Sequence, residues 1–288
     1  MLNSVKKKKR NSEKGKKVRY AVVGLGYIAQ NAVLPAFAHA RNSELTALVS
    51  DNPTKLRKLS KKYSVPHTYS YEEYSKCLES GDVDAVYIAL PNHMHRAYTE
   101  AAAGAGVNVL CEKPMAVTEE DCQAMIAAAE KNKIKLMIAY RLHFEEANLK
   151  AIELVQSGKL GEPRIFNSTF TMQVKPGNVR LQREKGGGTL YDIGIYCINA
   201  ARYLFRAEPN EVWATSASTG DTRFRQAEEM TAVTMRFPGE RLATFTASFG
   251  SADIGRYTLV GTKGVLTADP AYEYAEGLGL QIKAGEKT

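Results

Sequence analysis

From Val18 onward, short apolar runs rich in Val, Ile and Leu alternate with longer stretches whose apolar positions recur every three to four residues. Continuous apolar runs suit strands covered on both faces, and the amphipathic stretches between them suit the crossover helices that cover them. The N-terminal half therefore predicts a parallel α/β sheet, with strands over 18–23, 44–50, 83–90, 107–111 and 134–139. Helices are predicted over 28–39, 53–63, 71–79, 95–105, 118–131 and 144–157. Pro35 lies inside the first of these and, lacking an N–H, should kink or shorten it.

After about Gly161 the period shortens to two. Strands over 164–172, 211–218, 230–237, 241–249 and 256–260, with one helix over 190–205, predict a mostly antiparallel open sheet. The expected architecture is α/β: a first domain over 18–140 with a doubly wound parallel sheet, then an α+β domain over 141–288. No internal repeat interrupts either half.

A chain of 288 residues is long enough for two such domains. Its mean hydropathy is −0.31, and no apolar run approaches the ~18 residues that cross a bilayer. The formal net charge is +8, but residues 1–17 hold eight Lys/Arg (Lys6, Lys7, Lys8, Lys9, Arg10, Lys14, Lys16, Lys17) against one Glu, which leaves +1 on the rest. A solvated, disordered basic tail accounts for that charge without a nucleic-acid or membrane partner. The tail lacks the apolar stretch of a secretory signal, so the chain is expected in the cytoplasm. Cys77, Cys111, Cys122 and Cys197 form no Cys-x-x-Cys pair, which fits reduced thiols rather than structural zinc.

Gly24, Gly26 and Ala29 make a G-x-G-x-x-A turn between the first strand and the first helix, with Tyr27 and Ile28 inside it. Gly24 permits the tight turn, Gly26 lets backbone approach a pyrophosphate, and Ala29 keeps helix and strand close. The helix N-terminus then faces the phosphates with unpaired N–H groups. A small-residue turn alone would look the same, but within the full strand–helix alternation dinucleotide binding is the better account. The second strand ends at Ser50 and Asp51, with Lys55 just beyond. Asp51 would accept from ribose hydroxyls and favour NAD, whereas Ser50 and Lys55 would suit the 2′-phosphate of NADP; the residues leave that contest open.

Three further elements follow in order: Leu90-Pro91-Asn92-His93-Met94-His95, Cys111-Glu112-Lys113-Pro114, and Gly186-Gly187-Gly188-Thr189-Leu190-Tyr191-Asp192-Ile193-Gly194-Ile195-Tyr196. Together with the glycine turn they resemble the Gfo/Idh/MocA oxidoreductases, from Val18 to about Pro270. Tyr196, Ala139-Tyr140-Arg141 and the stretch 200–205 liken the chain to the glucose–fructose oxidoreductase and pyranose dehydrogenase branch. The resemblance implies a Rossmann domain, a small-molecule sugar or polyol substrate, and NADP as cofactor, with NAD left open. It further implies a homo-oligomer, dimer or tetramer, built on the open face of the second sheet. By the same likeness Lys113, before a cis Pro114, meets nicotinamide and substrate, His95 lies near the nicotinamide ribose, and Leu90, Pro91, Asn92, Glu112 and Arg141 line the cofactor cleft.

Oxidation of a hydroxyl needs a hydride acceptor on one side of the carbon and a proton acceptor at its oxygen. A tyrosine, with an ordinary pKa of about 10, requires a neighbouring cation to serve as that base. Tyr196 is thus the expected acid/base, Lys113 its cation, and Asp192, one helical turn earlier, the group that positions Lys113 or a substrate hydroxyl. Arg180 is expected to hold substrate, while Arg183 reads as an exposed basic loop. A metal at His93 and His95 is rejected because no further ligands lie at suitable spacing. Competing functions are a ping-pong exchange between two sugars on tightly held NADP, a dihydrodiol dehydrogenase-like reductase, and a non-catalytic sugar-sensing regulator. Relatives carry a further helical segment, so a chain stopping at Thr288 is expected to be naturally short or shortened at its end.

Overall fold

The computed structural model describes residues 17–273 and 277–284; most of the basic tail and the last four residues lie outside them. The first sheet contains β1 (Val18–Val23), β2 (Ser43–Val49), β3 (His67–Tyr69), β4 (Ala85–Ile88), β5 (Asn108–Cys111) and β6 (Leu136–Ile138). All pairs are parallel, in the order β3-β2-β1-β4-β5-β6. Ala21, Val22, Val23, Ala47, Leu48, Val49, Val86 and Ile88 are wholly buried, as continuous apolar strands between two helical layers must be. The order reverses between β1 and β4, so the chain leaves these neighbouring strands in opposite directions and opens a crevice at their carboxyl ends.

The helices are α1 (Leu34–Ala36), α2 (Pro53–Tyr63), α3 (Tyr74–Glu79), α4 (His95–Gly104) and α5 (Glu119–Lys131). Local chemistry sets their ends. Asn52 caps α2 through the Lys55 N–H, and Ser64 closes it in the left-handed region at φ 54°. Thr118 caps α5 ahead of Glu119, Glu120 and Asp121, which favour the positive end of the helix dipole. The segment after the glycine turn begins as a wide π-turn, Ala29–Val33, and ends with α1, three residues short of its predicted end. Pro35 explains this, because it cannot donate to the turn before it.

The second sheet holds β7 (Pro163–Gln173), β8 (Glu211–Ala217), β9 (Met230–Phe237), β10 (Arg241–Ser248), β11 (Gly250–Gly261), β12 (Gly264–Ala268) and β13 (Leu280–Ala284), in the order β13-β12-β11-β7-β10-β9-β8. Only β7 and β10 run parallel. One face, with Phe166, Phe237, Phe245, Tyr257 and Leu259, packs against α6 (Glu146–Gln156) and α7 (Ile195–Phe205). The other presents Asn167, Thr169, Trp213, Thr234, Thr244 and Thr246 around a shallow concavity of about 670 Å³. β3, β12 and β13 escaped the sequence pattern: three residues cannot show an alternation, and the last two strands lie in Gly- and charge-rich sequence. Among the described residues no helix is long and apolar enough to cross a membrane.

Candidate active site

The loops after β1 and β4 meet at the crevice. Gly24 has φ +91°, and a Cβ there would sit 2.5 Å from the Ala89 carbonyl oxygen, so only glycine lets the loops touch. Leu90, buried beside it, fills the remaining gap. Gly26 has nothing within 4 Å of a would-be Cβ, which leaves open space where a pyrophosphate would approach the backbone. Ala29 is wholly buried under the turn, Ile28 is half-buried, and Tyr27 is 72 % exposed. The turn itself is pinned: the Leu25 carbonyl accepts from Gln30 Nε2 at 2.9 Å and from Lys55 Nζ at 3.1 Å. This cradle fits a dinucleotide, and Lys55 sets a positive charge against it.

At the end of β2 the three side chains that the sequence left in contest have different partners. Asp51 accepts the Tyr71 N–H at 2.8 Å, which ties its carboxylate to the chain beyond β3. Ser50 is buried, and its hydroxyl accepts the Asn52 N–H at 3.2 Å. Of the three competing groups, Lys55 is the one that reaches the glycine turn.

Lys113 follows β5, and its peptide bond to Pro114 is cis. Its ammonium crosses to the second domain, where it donates to Asp192 Oδ1 at 2.9 Å and to the Asp192 carbonyl at 2.7 Å. It also lies 4.8 Å from the centre of the Tyr196 ring, over the face of the ring. Asp192 receives Arg180 Nε on its other oxygen. Burial alone would raise the Asp192 carboxyl, but Lys113 and then Arg180 outweigh it and push the group down to about 2. Burial likewise pulls on the Lys113 ammonium, yet the charges of Asp192, Tyr196 and Glu112 hold its pKa above the ordinary lysine value. The pair is therefore ionised across the neutral range.

The helix that carries Asp192 starts as a π-turn, Leu190–Gly194, before α7. Such wide turns recur at functional sites, and here Lys113 reaches a carbonyl within one. Tyr196 also meets Phe170, edge-on at 5.6 Å, and Tyr272 at 5.9 Å, so aromatic packing, as well as Lys113, restrains its ring. The triple glycine packs the helix start against three surfaces. A Cβ on Gly186 would fall 2.9 Å from Asn92 Cβ, on Gly187 2.5 Å from the Arg180 carbonyl, and on Gly188 2.9 Å from Glu228 Oε1.

The remaining predicted residues separate into those that bridge the domains and those that shape one loop. Asn92 Nδ2 donates to the Gly186 carbonyl at 2.8 Å, and Tyr191 Oη donates to the Val117 carbonyl at 3.1 Å. Arg141, at the start of the second domain, donates within that domain to the carbonyls of Tyr272 and Glu273. Glu112 accepts the Tyr87 hydroxyl at 2.6 Å and the Lys113 N–H at 3.2 Å, which fixes the chain on either side of the lysine. Pro91 begins the short turn over Asn92–Met94. His95, expected near the nicotinamide ribose, is wholly buried, with its ring nitrogens 2.9 Å from the Leu90 and Pro114 carbonyls. It fastens the loop after β4 to the loop after β5, and burial lowers its pKa despite those contacts.

Sequence reasoning missed Glu228, which accepts the Thr189 N–H and hydroxyl at 2.7 and 2.8 Å, because no motif surrounds it. It placed Tyr140, with Arg141, at the end of the first domain and facing the cleft, without a role. Burial pushes this phenol up to about 12 although the Lys113 charge opposes the shift, so the ring belongs to the surroundings of Lys113.

Comparison with known proteins adds to this geometry. Residues 18–140 match the family model described as oxidoreductase family, NAD-binding Rossmann fold, and residues 148–267 match the GFO/IDH/MocA C-terminal domain. The chain is 34% identical over 272 residues to D-xylose 1-dehydrogenase [NADP(+)] of Haloarcula marismortui, covering 92% of this chain and 76% of that protein. The crystal structure of aldose-aldose oxidoreductase from Caulobacter crescentus, complexed with glycerol, superposes with TM-score 0.91 at 42% identity, covering 94% and 82% of the two chains. A 3-ketoreductase from Actinomadura kijaniata, in complex with NADP and TDP-benzene, gives TM-score 0.82 at 26% identity over 94% and 85%.

Proposed function

The chain belongs to the Gfo/Idh/MocA oxidoreductase family, and from that premise we propose that it is an NADP-dependent enzyme acting on the hydroxyl or carbonyl group of an aldose. The observation that carries this reading is the Lys113 ammonium, held by Asp192 on one side and by the face of Tyr196 on the other, at the mouth of the dinucleotide crevice. NADP, when bound, supplies the hydride acceptor or donor. The glycine turn would hold its pyrophosphate, and Lys55 would offer the charge that suits a 2′-phosphate.

The chain's own side chains manage the proton. In the oxidation direction Tyr196 takes the proton of the substrate hydroxyl, and in reduction its phenol returns one to the substrate oxygen. Lys113, kept cationic by Asp192, stabilises negative charge as it develops on that oxygen. Arg180 keeps Asp192 ionised and turned toward Lys113.

Lys113→Ala should abolish turnover of D-xylose and D-glucose with NADP while leaving NADP affinity within about threefold, read by stopped-flow absorbance and isothermal titration. Wild-type turnover in that variant would overturn the reading.

A second reading, in which one aldose is oxidised and another reduced on a retained nucleotide, is favoured by the bonds that close the cleft from both domains, Asn92 to Gly186 and Tyr191 to Val117. Nucleotide that survives desalting and leaves only on denaturation would support it. We also propose assembly through the open face of the second sheet, where Trp213 is 49 % exposed. Light scattering of Trp213→Ala against wild type tests it. The four free cysteines fit a reducing compartment such as the cytoplasm.

A further inference from the structure

The helix carrying Asp192 and Tyr196 begins at Thr189, directly after three glycines. Gly186 and Gly188 have φ +76° and +135°, conformations that leave the chain free to pivot unless something outside it holds the helix start. The holding group is Glu228, on the segment leading into β9. Its Oε1 accepts both the Thr189 N–H, at 2.7 Å, and the Thr189 hydroxyl, at 2.8 Å. Since that hydroxyl proton goes to the carboxylate, Thr189 Oγ1 accepts from Thr231 at 2.9 Å, and Thr231 in turn accepts from Ser216 at 3.2 Å. The chain of bonds fixes the helix start to β9 and β8. Gly188 lies so close to Glu228 that a Cβ would fall 2.9 Å from the same oxygen. An anion at this end of the helix is also favoured by the helix dipole.

We propose that Glu228 is a positioning residue that sets the height and rotation of the π-turn, so that the carbonyl and carboxylate of Asp192 reach Lys113 together. The inference rests on the functional reading above. It predicts a separation of effects, because Glu228 touches the second domain only, whereas the nucleotide cradle belongs to the first. Displacement of reacting groups by about 1 Å costs up to roughly 100-fold in rate.

The test compares Glu228→Ala, Glu228→Gln and Thr189→Ala in the full chain, measuring NADP affinity and turnover per bound nucleotide. Glu228→Ala is expected to lower kcat by about 10- to 100-fold with NADP affinity within about twofold. Glu228→Gln, whose amide oxygen accepts the same two bonds, is expected to stay within about threefold of wild type. Thr189→Ala keeps one bond and should fall between them, which gives a readout even if Glu228→Ala does not fold.

Wild-type kcat in Glu228→Ala, or in Thr189→Ala where the former is insoluble, would overturn the proposal. So would loss of NADP affinity in step with kcat, or failure of Glu228→Gln to restore turnover. Lys113→Ala run in parallel separates the two claims. If it stays active, the functional reading fails; if it is dead while Glu228→Ala is unimpaired, only the role of Glu228 fails.

Discussion

Lys113 grips Asp192 twice, donating to its carboxylate at 2.9 Å and to its main-chain carbonyl at 2.7 Å, although the two residues are 79 positions apart. The second bond fixes where the helix lies, not merely what charge it carries. A carboxylate could swing to follow a lysine, but a carbonyl within a helical turn cannot. The double contact therefore joins the two domains at the reacting centre.

Removing the carboxylate should cost stability as well as rate. The two side chains are 12 % and 15 % exposed, so Asp192→Ala leaves an ammonium with little water to replace its partner. A loss of roughly 3 kcal/mol is expected, seen as a lower denaturation midpoint in urea melts. Lys113→Met/Asp192→Ala, which removes both charges, should recover part of that loss.

The pair also shapes the response to acid. The Asp192 carboxyl is depressed to about 2 in the folded protein, so its contribution is complete above the ordinary aspartate value and disappears as pH falls toward 2. Lys113 has the opposite sign: its pKa is raised, so its contribution is present below the ordinary lysine value and is lost only as pH rises beyond it. Stability from this pair should be flat between about pH 5 and 9. Asp192→Asn should flatten the acid limb of a pH series of urea melts below pH 4, by about 2 kcal/mol.

The two glycines of the nucleotide turn should fail in different ways. Gly24→Ala places a Cβ against the Ala89 carbonyl at an unfavourable φ, so it should lower the thermal midpoint, with strain of about 1–3 kcal/mol. Gly26→Ala meets no protein atom, so it should melt like wild type yet bind NADP at least about tenfold more weakly. Equal melting losses in both variants would contradict this account of the turn.

Cofactor choice should follow Lys55 rather than Asp51. Lys55→Ala should weaken NADP by about tenfold and NAD by much less, since one charge contact to a phosphate is removed. Asp51→Ala should leave both nucleotides nearly unchanged, because its carboxylate is engaged by the Tyr71 N–H. Titration of both nucleotides into both variants checks this.

Part of the site was legible because its signals are local. Gly24, Gly26 and Ala29 are spaced by the needs of a single turn, and Asp192 and Tyr196 by one turn of helix, so short motifs carry them. Ser50, Asp51 and Lys55 could not be ranked that way. Asp51 and Lys55 are decided by Tyr71 and Leu25, which reach them from beyond neighbouring strands, and Ser50 by burial and the adjacent Asn52 N–H. The contacts of His95 were hidden for the same reason: its ring nitrogens meet the Leu90 and Pro114 carbonyls, and the second of these comes from the loop after another strand.

The sequence by itself determined the alternation of strands and helices, the change of period near Gly161, and the residue types that the chemistry requires. These follow from repeating patterns of burial and from steric rules acting within a few residues. Tertiary structure alone decided which oxygens meet Lys113, which strand-end group reaches the cofactor turn, and that Glu228 restrains the helix behind three glycines. Those are contacts between distant parts of the chain, and their distances are set by how two separately built sheets pack, which no local spacing encodes.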